Sequence, residues 1–323
     1  MGLLTSTIGS FPKPKELRKK RLLFAEGEIE AAELREAEDR AVREVLLLQE
    51  ELGLDLLVDG EMDRGDMTTF FAERLEGMEL SGLVRSYGNR YYRKPVIVGD
   101  VSRTAPMTVE RWRFARDASS RPVKAILTGP YTLMDWSFDE HYDSREACCM
   151  ALAGVVRSEA EDLAAAGAAE IQIDEPAVSA RPEELALVHR ALEEVTAGIR
   201  GRARTWCHIC YGEFGPVMDQ ILALPVDGFL LELSNSDFDQ LDSLKRLPEG
   251  KLLGAGVVDV HTHVVETPEE VGQRIDRVLE VLPPERVWIN PDCGLKTRTL
   301  DEARQKLAAM VKSVRAVREA RGL

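Results

Sequence analysis

Eight short apolar segments, separated through most of the chain by helical stretches, predict an α/β fold, and their number predicts a single (β/α)8 TIM barrel. Two further observations agree. The chemically useful residues fall at or just beyond the C-terminal ends of these segments, the face on which such barrels carry their sites. The chain has 323 residues, more than the roughly 250 a barrel needs, which leaves room for an insertion. An open doubly wound sheet is the alternative arrangement of the same elements.

Taken in order, the predicted strands are Thr5–Ser10, Asp55–Gly60, Val123–Gly129, Glu170–Asp174, Arg204–Cys210, Gly228–Leu233, Lys251–Val257 and Arg286–Pro291. Most are continuous apolar runs, as expected of parallel strands covered on both faces. Helices are predicted between them at Glu28–Leu52, Ser144–Ala166, Pro182–Ile199, Pro268–Leu282 and Leu300–Arg321, where Glu, Ala, Leu and Arg recur at helical spacing. The register is least clear over Asp63–Glu110. Within it, Arg85–Asp100 is rich in Tyr, Arg and Lys and reads as a hairpin inserted after the second strand, near the mouth of the barrel. No linker, low-complexity tract or short-period repeat interrupts the chain, so residues 1–323 are expected to form one catalytic domain.

The composition is that of an ordinary globular protein, 44% hydrophobic and 30% charged. A formal net charge of -14 argues against a nucleic-acid partner, which asks for a basic footprint. No apolar run reaches the roughly 18 residues of a membrane span, and the first residues lack the regions of a signal peptide. Five cysteines, an odd count without export signals, suit reduced thiols in a cytoplasmic protein.

Four constellations carry chemistry. In Cys207-His208-Ile209-Cys210, strand alternation turns His208 and Cys210 to one side and Cys207 to the other. An imidazole and a thiolate on one face are two zinc ligands; Cys293, in Asn290-Pro291-Asp292-Cys293-Gly294, and Glu232, read as mid-strand, complete a tetrahedral set. Such a site suits the holding and activation of a substrate thiol. Singly, the cysteines read more readily as small buried hydrophobes and His208 as a satisfied core histidine; it is the set at successive strand ends that points to zinc. The second constellation joins Thr7-Ile8-Gly9-Ser10-Phe11-Pro12, Val58-Asp59-Gly60-Glu61 and Ile171-Gln172-Ile173-Asp174-Glu175-Pro176. The carboxylates Glu61 and Asp174 suit an α-ammonium group, and the Gly9-Ser10 amides suit an α-carboxylate. A loop charge and a helix N-cap before Pro176 are the plain alternatives. The third is Trp136, just past a strand, a platform for a flat ring or a core side chain. The fourth is Asp259-Val260-His261-Thr262-His263, where His261 reads as a proton donor oriented by Asp259 and His263 as surface.

These motifs, with Thr128-Gly129-Pro130, Trp136-Ser137-Phe138, His208-Ile209-Cys210-Tyr211 and the run Asn290 to Arg298, make the chain resemble the catalytic C-terminal barrel of the cobalamin-independent methionine synthases from Thr5 to about Arg298. The resemblance implies zinc on His208, Cys210, Glu232 and Cys293. It implies L-homocysteine contacts at Ile8, Ser10, Glu61 and Asp174, a pterin-stacking role for Trp136 and proton transfer near His261. The additional N-terminal barrel of the two-barrel synthases is absent, so the chain is similar to the short single-barrel "core" type. Its methyl donor is then either 5-methyltetrahydrofolate or a methylcobalamin-bearing corrinoid protein. A related zinc alkyltransferase acting on another thiol, such as coenzyme M, is the competing expectation. A barrel that keeps the pocket only as a sensor is a more distant one.

Overall fold

The computed structural model describes residues 2–85, 91–210, 212 and 215–323. In chain order its helices are α1 (Lys15–Ala25), α2 (Ala31–Leu52), α3 (Thr69–Ala72), α4 (Val109–Asp117), α5 (Pro130–Asp135), α6 (Arg145–Ala165), α7 (Leu185–Ala197), α8 (Met218–Leu222), α9 (Pro268–Leu279) and α10 (Leu300–Arg321). Its strands are β1 (Glu76–Arg85), β2 (Tyr91–Ser102), β3 (Ala125–Thr128), β4 (Phe138–Asp139), β5 (Glu170–Asp174), β6 (Arg204–Ile209), β7 (Gly228–Leu231), β8 (Leu252–Val258) and β9 (Val287–Pro291).

Six strands are hydrogen-bonded in chain order, β3-β5-β6-β7-β8-β9, and the pairs β3–β5, β5–β6 and β8–β9 run parallel. The fold is therefore mixed α/β with a parallel sheet, as the alternation predicts. The first two predicted strands are shorter than expected. Each is reduced to a single parallel bridge, Thr5 to Ile289 and Leu57 to Val123. The reason lies in polar side chains that take over backbone groups a neighbouring strand would otherwise satisfy. The Asp55 carboxylate accepts from the Thr5 amide (2.8 Å), Lys124 Nζ donates to Thr7 O (2.8 Å), and the Gln49 side chain serves both Val58 N (3.1 Å) and Val58 O (2.8 Å).

The chain gathers into two compact units: Met1–Asp63 with Trp112–Lys124 and Leu230–Leu323, and Arg64–Arg111 with Ala125–Phe229. In the first, α2 buries Ala37, Ala41, Val42, Val45, Leu46, Leu48 and Gln49, a stripe at helical period, and stops where Gly53 takes the left-handed conformation (φ 90°). Helices α9 and α10 each open with a capping box, Thr267 with Glu270 and Thr299 with Glu302. Arg318 of α10 donates to Leu3 O (2.9 Å) and pairs with Asp55 (2.6 Å).

In the second unit, Ser144 caps α6 by accepting from Ala147 N (3.1 Å). The predicted insertion is present as the antiparallel pair β1–β2. Its first strand lies ahead of the predicted start at Arg85, because Glu76–Arg85 is largely exposed and shows no clean alternation. The turn, residues 86–90, falls outside the described residues.

Candidate active site

His208 lies near the end of β6 and Cys210 one residue beyond it, 3% and 4% exposed. Cys293 follows β9 by two residues. Glu232 is not mid-strand as expected: β7 ends at Leu231. The ladder stops there because the next three amides, of Leu233, Ser234 and Asn235, donate to the Asp292 carboxylate at 3.1, 3.0 and 2.8 Å. Burial pushes Asp292 up to about 7 in spite of those donors. Tyr211, in the same motif as His208 and Cys210, falls outside the described residues.

The ligand atoms of His208, Cys210 and Cys293 all lie within 4.8 Å of one another. Two thiol sulfurs and an imidazole nitrogen fit zinc in both chemistry and spacing. With Zn–S near 2.3 Å and Zn–N near 2.0 Å, tetrahedral donors stand roughly 3.5–3.8 Å apart. Glu232, the remaining predicted ligand, meets His261 instead, with Oε1 2.7 Å from the imidazole Nε2. That carboxylate raises His261 above the ordinary imidazole value against the opposing effect of burial, and so favours the protonated ring.

The Asp259 carboxylate accepts from the His261 backbone amide (2.7 Å), shaping the loop that carries the ring. His263 is largely exposed and pairs with Glu302 (2.8 Å), in keeping with a surface role. The loop is braced from below by Lys306, fully buried on α10. Its Nζ donates to Asp259 O (2.8 Å) and Val264 O and pairs with Glu266 (2.9 Å), while Glu266 Oε1 accepts from Asp259 N (2.8 Å).

The predicted carboxylate-binding segment is stitched to its neighbours. Phe11 N donates to Gly60 O (3.1 Å) and Leu295 N to Ser10 O (2.7 Å). Ile8 and Ser10 are buried, and Ser10 Oγ occupies the space a Cβ at Gly294 would need. Glu61 sits at φ 54°, a left-handed conformation that costs a non-glycine residue free energy and is found most often at functional sites. Lys13 lies within electrostatic range of Glu61, and burial lowers it to about 8.

Asp174 ends β5. Its carbonyl accepts from Gly129 N (2.8 Å) and its carboxylate from Gln172 Nε2 (2.6 Å). Glu175 follows, fully buried. Its amide donates to His208 O (2.9 Å), and its carboxylate accepts from Tyr131 N (3.0 Å), Thr132 N (2.7 Å) and Thr132 Oγ1 (2.7 Å) at the start of α5. The capping expected of the Asp174-Glu175-Pro176 segment is thus real, but Glu175 caps a helix whose bonded amides lie 44 and 43 residues earlier in the chain. Burial raises it to about 7. Trp136 closes the other end of α5 and is half-buried.

Sequence reasoning passed over Glu175, Asp292, Lys306 and Lys13. Only Asp292 and Glu175 carried a signal, as members of motifs read for their neighbours.

Fold and donor chemistry together define an α/β enzyme with a thiolate and imidazole group suited to a zinc ion. Residues 3–316 match the family described as "Cobalamin-independent synthase, Catalytic domain". Among relatives, the chain is 41% identical over 318 residues to the methionine synthase of Saccharolobus solfataricus, covering 98% of this chain and 95% of that one. It is 40% identical over 326 residues to the 5-methyltetrahydropteroyltriglutamate–homocysteine methyltransferase of Salmonella arizonae, of which it spans 43%. Its fold matches the B12-independent methionine synthase of Shewanella sp. W3-18-1, solved in complex with selenomethionine, with a TM-score of 0.88, 29% identity and full coverage of both chains. The chain belongs to the cobalamin-independent methionine synthase family, which uses zinc.

Proposed function

We propose that this chain transfers a methyl group to the thiol of L-homocysteine, giving L-methionine, with zinc held by His208, Cys210, Cys293 and Glu232. The observation that carries this reading is the grouping of one imidazole and two thiols within 4.8 Å. We take the donor to be a 5-methyltetrahydrofolate of the pteroylglutamate kind, the chemistry in the name of the Salmonella relative. A methylcorrinoid finds no support in a family described as cobalamin-independent.

When bound, zinc supplies a thiolate at neutral pH, where a free thiol with a pKa near 8.5 is mostly protonated. The chain's own residues do the rest. Ile8 and Ser10 bind the α-carboxylate, and Glu61 and Asp174 bind the α-ammonium. These two carboxylates favour an amino-acid acceptor over coenzyme M, which has no amino group for them. Trp136 offers its face to the pterin. His261, held towards its protonated form by Glu232, delivers a proton to the departing N5. In this reading residues 1–323 act as one catalytic domain, in a reducing cytoplasm that keeps all five cysteines as free thiols.

The test pairs purified protein and homocysteine with 5-methyltetrahydrofolate, its triglutamate or methylcobalamin, and measures methionine. The folate arms should yield product. Cys210→Ser and Cys293→Ser should lose zinc and product together while keeping the parent circular dichroism. Product from a zinc-free variant would refute the mechanism, and product from the methylcobalamin arm alone would refute the donor.

A further inference from the structure

Glu232 and Cys293 leave the ends of two different strands, β7 and β9, and are 61 positions apart in the chain. One carboxylate links them. Asp292, the residue before Cys293, is fully buried and accepts the amides of the three residues that follow Glu232, at 3.1, 3.0 and 2.8 Å. Its own amide donates to Val258 O (2.9 Å), at the end of β8. Gly256 leaves room for it, since a Cβ there would collide with Asp292 Oδ1, and Ser234 Oγ donates to Gly256 O (3.1 Å). Three successive amides turned onto one carboxylate form a nest. The carboxylate needs those donors as much as they need it, because an unsatisfied buried polar group is costly.

We propose that Asp292 is a positioning residue for the metal site, fixing the backbone after Glu232 against Cys293 before any metal arrives. The cost of ordering this pair is then met during folding and does not fall on metal binding. Partners behind metal ligands typically account for 10–100-fold in affinity. The proposal rests on the zinc reading above and deepens it.

Two measurements test it. The first needs no variant: amide hydrogen exchange on the parent protein stripped of metal. The amides of Leu233, Ser234 and Asn235 should be protected without zinc; protection that comes only with zinc would overturn the proposal. The second is zinc affinity by competition with a chromophoric chelator. Asp292→Asn should weaken zinc about 10–100-fold and have little further effect in a Glu232→Ala background, because it acts through Glu232. An unchanged affinity, or an equal loss in both backgrounds, would overturn it. Asp292→Ser serves if the Asn variant fails to fold. Should the parent bind no zinc, or Cys210→Ser bind it as the parent does, the metal assignment itself fails, and the exchange result shows that failure apart from a missing clamp.

Discussion

Glu175 is bound by three donors and still carries its proton to about 7, because its desolvation outweighs them. The unfolded chain releases that proton near the ordinary value of 4.5. Between these two values the folded state binds more protons, so stability is greatest below the lower one and falls as pH rises towards the upper one. Glu175→Gln, which resembles the protonated acid, removes this dependence. Its stability relative to the parent should therefore improve from pH 4.5 to 7, by up to about 3 kcal/mol. Urea melts of both proteins across that range check it; a constant difference would show that Glu175 is ionised throughout. The metal-binding group was legible because His208 and Cys210 alternate on one strand end and Cys293 stands in a distinctive motif just past another. Glu175 was legible as part of a capping segment, but not the helix it caps, because its partners lie on α5 and no local pattern announces a cap supplied from so far along the chain.

At the scale of elements, α10 does more than cover the sheet. Lys306 reaches from it into the loop that carries His261, pairing with Glu266 and holding two carbonyls. Truncating one member of a buried pair leaves the other uncompensated, at about 3–5 kcal/mol. Lys306→Met should lower unfolding stability by about that much in denaturant melts, and His261 should lose its fixed place, seen as faster amide exchange from residue 259 to 264. A loss under 1 kcal/mol would mean the pair is dispensable. The periodicity of α10 predicts its span, Leu300–Arg321, and β5 likewise falls on its predicted residues. Periodicity could not foresee that Lys306 is fully buried. Nor could it foresee that the first two strands shrink to single bridges, because Asp55, Gln49 and Lys124 act from a distance along the chain.

For the whole molecule, the alternation of apolar segments with helical stretches was enough for the α/β class with a parallel sheet, since it leaves few ways to bury the strands. The predicted β1–β2 insertion was misplaced at its start because exposed strands lack the burial that sets a register. Zinc should stabilise the entire chain by linkage: above its dissociation constant, each tenfold rise in free zinc adds about 1.4 kcal/mol. Calorimetry across a zinc series should show the melting temperature climbing steadily for the parent and staying flat for Cys210→Ser. A flat parent would contradict the metal reading. The left-handed backbone at Glu61 has a consequence for the molecule's history under selection. Glycine there would relax the backbone and firm the protein, while removing a carboxylate that the proposed amino-acid pocket calls for. A library screened for heat resistance alone should therefore drift to glycine at that position and fall silent as a catalyst, whereas one screened for growth without supplied methionine should keep the acid and tolerate the strain.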